Sequence, residues 1–195
     1  MKKKEHSVNI PTIEEVENEQ KRLRHRAVYQ RTLRGTIAVL LVVAAISVLV
    51  ATLWMPVLQI YGSSMSPTLE AGQIVVSVKT NQLKTGEVVA FWQGNKLLIK
   101  RVIAGPGQWV DIDMDGNVTV DGQTLDEPYL TEKALGNCEI DLPHQVSEAH
   151  WFLMGDNRDT SVDSRSTAIG DISKDQIEGQ IIFRIWPLNK IGSIQ

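Results

Sequence analysis

Val88-Val89-Ala90-Phe91-Trp92-Gln93-Gly94-Asn95-Lys96-Leu97-Leu98-Ile99-Lys100-Arg101-Val102-Ile103 decides the fold class. Two apolar runs rich in valine, leucine and isoleucine flank Gln93-Gly94-Asn95, and a glycine with asparagine between such runs reads as the reversal of an antiparallel hairpin. Runs of the same kind recur at 74–78, 109–112, 118–120, 151–154 and 181–185. Lys84-Thr85-Gly86, Asp115-Gly116-Asn117 and Asp121-Gly122 supply further reversals. The spacing predicts a mainly β domain, an antiparallel sandwich or barrel-like arrangement, in which only 173–178 suits a short helix.

The chain before this domain has a different character. Residues 35–69 contain no Lys, Arg, Asp or Glu, and within 37–55 only Ser47 and Thr52 are polar. A helix of that length measures about 28 Å, against a hydrocarbon core of ~30 Å. Pro56 suits its end, and Trp54 and Tyr61 stand where an interfacial aromatic belt would lie. Residues 36–58 are therefore expected to form a single transmembrane helix, with a buried core helix as the alternative. A cleaved signal peptide would have a shorter apolar core nearer the start.

Orientation follows from the flanks. Lys2, Lys3, Lys4, Lys21, Arg22, Arg24, Arg26, Arg31 and Arg34 precede the span, and the first basic residue after it is Lys79. Residues 1–35 are thus expected to be a charged cytoplasmic arm, solvated and unspecific over 12–34 with a charged helix continuing into the membrane as the alternative, and residues 59–195 an extracytoplasmic domain. Glu5, Glu14, Glu15, Glu17 and Glu19 offset part of the arm's charge, and the 195-residue chain as a whole is net -3, which leaves the outer domain acidic and offers nucleic acid no face. One cysteine, Cys138, excludes an intramolecular disulfide, so the domain depends on its core.

Two sequence patterns imitate other sites. Asp111-Ile112-Asp113-Met114-Asp115-Gly116 begins like a calcium loop, but Gly122 occupies the place of its bidentate glutamate, so a hairpin is expected. Asn117-Val118-Thr119 has the composition of a glycosylation sequon, and a tight turn is expected there too.

Ser64 lies four residues beyond the apolar run ending at Ile60. A serine hydroxyl needs a base before it can attack a carbonyl, and histidine is the usual one. His6 and His25 fall on the cytoplasmic side, and His144 and His150 sit in a loop and before a strand. Lysine can serve if neutral. At its reference pKa about one lysine in 2500 is neutral at pH 7, and a shift to about 8 raises that to roughly one in ten. Lys100 has the neighbours for such a shift, since Leu98 and Val102 share its strand face. The alternative is a lysine reaching solvent from an edge strand. Gly155-Asp156-Asn157-Arg158-Asp159-Thr160-Ser161-Val162-Asp163-Ser164-Arg165 then packs five charges and three hydroxyls behind an apolar run, which suits either mutually locked side chains or a solvated turn.

At these places the chain resembles the bacterial type I signal peptidases, membrane-anchored serine-lysine proteases. The resemblance is carried by Ser64-Met65-Ser66-Pro67-Thr68-Leu69, by Ile99-Lys100-Arg101-Val102 with Gly105-Pro106-Gly107, and by residues 155–165. Weaker echoes stand at Leu125-Asp126-Glu127-Pro128-Tyr129-Leu130 and Phe183-Arg184-Ile185-Trp186-Pro187. It implies that Ser64 is the nucleophile, Lys100 the general base, Ser161 the hydroxyl that orients the amine, and Asp156 with Arg101 and Asp163 with Arg165 the supporting salt bridges. It implies a catalytic domain at 59–195 whose variable β insertion, about 108–149, is short as in Gram-positive members.

The implied substrates are signal peptides of exported preproteins, cut after small residues at the bacterial plasma membrane, in contact with lipid and with no metal or cofactor. Some members carry an oxyanion-binding serine two residues before the nucleophile. Here that residue is Gly62, so the oxyanion is expected to rest on backbone N–H groups, chiefly that of Ser64. A soluble self-cleaving serine-lysine protease of the repressor type and an anchored, non-catalytic assembly factor are the competing readings. Trp54, Trp92 and Trp186 raise the further expectation that part of the outer domain meets lipid headgroups, with a core role for Trp92 and Trp186 as the alternative.

Overall fold

The computed structural model describes residues 12–80 and 82–194, without the side chains of 51–54; Lys2, Lys3, Lys4, Glu5 and His6 lie outside the described residues. Two compact units divide between Val50 and Ala51.

The first unit corrects one expectation. Residues 12–34 are not an unstructured arm: a single 42-residue helix, α1, runs over Ile13–Trp54. Its cause is local. Between 13 and 34 there is no glycine or proline, and Glu, Gln, Lys, Arg, Leu and Ala, all good helix formers, predominate. Thr12 and Glu15 cap the start reciprocally, the Thr12 N–H donating to Glu15 Oε2 at 2.9 Å and the Glu15 N–H to Thr12 Oγ1 at 3.4 Å. The helix stops just before Pro56. Its apolar half is exposed, with Leu40 62% and Val48 63% accessible, and it is long and apolar enough to cross a membrane.

The second unit is mainly β, as expected, and antiparallel throughout. In chain order its strands are β1 (Val57–Gln59), β2 (Ile74–Val78), β3 (Val88–Gln93), β4 (Lys96–Ala104), β5 (Trp109–Ile112) and β6 (Val118–Val120). They continue with β7 (Gln123–Thr124), β8 (His144–Gln145), β9 (His150–Met154), β10 (Ile172–Ser173), β11 (Ile177–Trp186) and β12 (Gly192–Ser193). The larger sheet has the order β1-β2-β11-β3-β4-β9-β10, with β12 on β11, and the smaller has the order β7-β6-β5-β8.

The hairpin at 88–103 forms with Gln93 opposite Lys96 and Val89 opposite Lys100. The expected helix at 173–178 contracts to one 3₁₀ turn, Lys174–Gln176. Gln176 Oε1 accepts from the Ser173 N–H at 2.9 Å and the Ser173 hydroxyl at 3.0 Å, and Ile177 already begins β11. The pseudo-calcium stretch is a hairpin turn. Its Asp113 carboxylate accepts from the backbone N–H groups of Asp115 and Asn117 at 3.0 and 2.8 Å.

Three apolar clusters fill the domain. Ile60, Met65, Leu69, Val75, Val88, Ala90 and Ile181 form one, which anchors the turn bearing Ser64 through Met65 and Leu69. Val89, Phe91, Val102, Trp151, Leu153 and Ile172 form a second, against which Leu98 packs, and the third joins Phe152 and Met154 to the smaller sheet. Trp92 and Trp186 are not core residues, being 43% and 48% accessible.

Candidate active site

Lys100 sits on β4 and is only 3% accessible, its aliphatic stem continuing the face of Leu98 and Val102. Its neighbour Arg101 points to the opposite face and is 1% accessible. Burial pushes the Lys100 ammonium down to about 8. Asp163 and Asp156 draw it up and Arg165 pushes it down, but desolvation is the largest influence.

Ser64 and Lys100 line one cavity of about 240 Å³, walled by Leu58 and Ile60 near β1, Met65 beside the serine, and Leu97 and Ile99 of β4. Among the described residues the amine and the Ser64 hydroxyl share this space without a hydrogen bond between them, and the Ser64 N–H donates to no acceptor. Gly62 has φ +82 and open space where a side chain would stand. Neither His144 nor His150 lines the cavity: His144 Nε2 pairs with Asp171 Oδ1 at 2.9 Å, and His150 Nδ1 lies 2.7 Å from the Glu148 carbonyl oxygen.

The loop after β9 is held by buried charge. Arg101 binds Asp156 twice, Nε to Oδ1 at 2.9 Å and Nη2 to Oδ2 at 2.7 Å. The same guanidinium donates to the Gly86 carbonyl at 2.6 Å and to Thr68 Oγ1 at 3.2 Å, four residues past Ser64. Arg165 binds Asp163 with Nε and Nη2 at 2.9 Å each, and the Gly155 N–H also donates to Asp163 Oδ2 at 2.9 Å. Burial pushes the Asp163 carboxyl up, but these donors outweigh it and hold the carboxyl below its ordinary range.

Ser161 is 3% accessible, and its hydroxyl makes no hydrogen bond of ordinary geometry among the described residues, although it stands close enough to Asp163 to help keep that carboxyl ionised. A buried hydroxyl left this way costs free energy. The Gly155 backbone explains how the loop reaches the serine: a Cβ there would press on the Ser161 hydroxyl and lie 2.5 Å from the Ser64 carbonyl oxygen, so only glycine fits.

The sequence reading missed a third buried ion pair. Arg158, 2% accessible, donates through both terminal nitrogens to Glu127, 6% accessible, and its Nε donates to the Gly155 carbonyl at 3.1 Å. The Tyr129 hydroxyl donates to Glu127 Oε1 at 3.0 Å, and the Arg101 guanidinium carbon lies 3.7 Å from the centre of the Tyr129 ring. Burial first, then the Glu127 charge, pushes the Tyr129 phenol well above its ordinary range. The Glu127-Pro128-Tyr129 echo was the available signal.

A family model described as "Signal peptidase, peptidase S26" matches residues 33–186. Signal peptidase IB of Staphylococcus aureus (strain COL) is 37% identical over 151 residues, covering 67% of this chain and 78% of the relative. Signal peptidase I of Bacillus licheniformis is 33% identical over 167 residues, 79% and 88% of the two chains. The crystal structure of a signal peptidase I from Enterococcus faecalis V583 aligns at 24% identity with a TM-score of 0.43, covering 52% of this chain and 98% of that one. With a family match across most of its length and relatives above 30% identity, the chain belongs to the bacterial type I signal peptidases of peptidase family S26.

Proposed function

We propose that the chain is a membrane-anchored serine endopeptidase that removes signal peptides from exported preproteins, with Ser64 as nucleophile and Lys100 as general base. One observation carries the reading: an amine buried to a pKa of about 8 lines the same cavity as an uncommitted serine hydroxyl. Neutral Lys100 takes the Ser64 proton as Oγ attacks the carbonyl. The N–H of Ser64 is free to receive the oxyanion. The C–N bond then breaks, the proton passes from Lys100 to the leaving amine, and an ester remains on Ser64. Water, deprotonated by Lys100, cleaves that ester and restores the serine.

Ser161 orients the amine, its unpaired hydroxyl being available for that bond. The Arg101–Asp156 and Asp163–Arg165 pairs hold the turn and the loop that present these groups. The small apolar cavity, bounded by Leu58, Ile60, Leu97 and Ile99, accounts sterically for small side chains before the cut. Helix α1 anchors the enzyme, with its charged N-terminal part cytoplasmic and the β domain on the outer side.

Intact-mass measurement after treatment with an acylating serine-protease inhibitor tests the reading. One adduct mapping to Ser64, and none in Ser64→Ala, is expected. A chain that stays unmodified is a non-catalytic relative.

A further inference from the structure

The turn after Ser64 borders a second, larger cavity. It holds about 430 Å³ and opens on Ser66 and Pro67, with Glu132 on one wall and Asn157 and Asp159 on another. Its polar character contrasts with the apolar walls around Ser64 and Lys100. Two further charges that line it are already neutralised, Asp156 by Arg101 and Arg158 by Glu127. Glu132 and Asp159 are exposed and make no ion pair or hydrogen bond among the described residues. The space therefore carries uncompensated negative charge within a concave surface, which concentrates its field.

A peptide cut at Ser64 has two halves that must leave the serine in different directions. The half that becomes the ester ends in small side chains, which suit the 240 Å³ apolar cavity. The amine half needs separate room, and three extended residues span about 10 Å. The larger cavity offers that room against the same turn, and Asn157 ties its wall to the nucleophile by donating its N–H to the Ser64 carbonyl oxygen at 3.0 Å.

We infer that this cavity binds the first residues on the amine side of the cut bond, and that Glu132 and Asp159 make it favour cationic side chains there and disfavour acidic ones. The inference rests on Ser64 as nucleophile. It adds a second, electrostatic level of selection, one that acts on the mature part of the preprotein.

The test uses the full chain in detergent and three peptides with one common signal-peptide half. After the cut, their second and third residues are Ala-Ala, Lys-Lys or Asp-Asp. At low salt, kcat/KM for Lys-Lys is expected to exceed that for Asp-Asp about 10-fold, the ratio shrinking at about 1 M salt, where charges are screened beyond ~3 Å. The variant Glu132→Gln with Asp159→Asn is expected to bring the ratio close to one. Equal rates for the charged peptides in the natural enzyme, or a ratio that survives the double substitution, would overturn the inference while Ala-Ala cleavage leaves the Ser64 reading intact. No cleavage even of Ala-Ala would remove that reading and this inference with it.

Discussion

The backbone N–H of Asn157 donates to the carbonyl oxygen of Ser64 at 3.0 Å, so the loop that follows β9 and the turn that bears the serine are one unit. Arg101 repeats the connection with side chains, joining Asp156 of the loop to Thr68 past the turn. Lys100 approaches from β4, whose register fixes it opposite Val89. Three stretches far apart in sequence thus meet through contacts that leave little freedom.

Cleavage is expected to depend on pH through the lysine. Its folded pKa is depressed to about 8, so the neutral, active form grows as pH rises. Log kcat/KM should climb with unit slope below pH 8 and level off above it, so that about a tenth of the maximum remains near pH 7. A profile already flat from pH 6 upward would contradict a lysine base at this value.

Lys100→Met should separate stability from activity. Because the folded pKa lies below the unfolded one, the folded state binds this proton more weakly, and the penalty is present at neutral pH and fades as pH rises from about 8 toward the unfolded value. Replacing the amine with an uncharged thioether one atom shorter is expected to abolish turnover while raising stability by about 1–3 kcal/mol at pH 7. Thermal unfolding followed by circular dichroism is the readout.

Gly155→Ala addresses the close approach of loop and turn. Its Cβ would meet the Ser64 carbonyl oxygen at 2.5 Å, and the backbone must shift to relieve it. A displacement of that order is expected to lower kcat about 10²-fold. Unchanged kinetics would mean the loop is not held as described.

The Glu127–Arg158 pair predicts a stability defect away from the reacting groups. Glu127→Gln leaves a buried guanidinium without its counter-charge, at a cost of about 3 kcal/mol and a fall in Tm on the order of 10 °C. Calorimetry would settle it, an unshifted transition being the contrary result.

How far the sequence reached can be read from individual residues. The hairpin at 88–103 was legible because its period and turn chemistry are local. So was the burial of Lys100, through Leu98 and Val102 on the same strand face. For 12–34 the sequence allows a helix but favours a solvated tail, because high charge suits solvation; the helix forms since nothing in the segment breaks it and Thr12 caps it. The 3₁₀ turn at Lys174–Gln176 was overestimated as a helix, since pairing of β11 with β3 from Ile177 onward takes the chain first. Glu127 and Arg158 lie 31 residues apart, and only the fold brings such a pair together.

The proposed reaction requires Ser64 and Lys100 to act as a pair. Its most direct measurement is mass spectrometry of the products formed from one purified preprotein by the natural chain, by Ser64→Ala and by Lys100→Ala. A single cut after a small residue is expected with the natural chain, and none with either variant. Appreciable cleavage at that site by either variant would contradict the pairing.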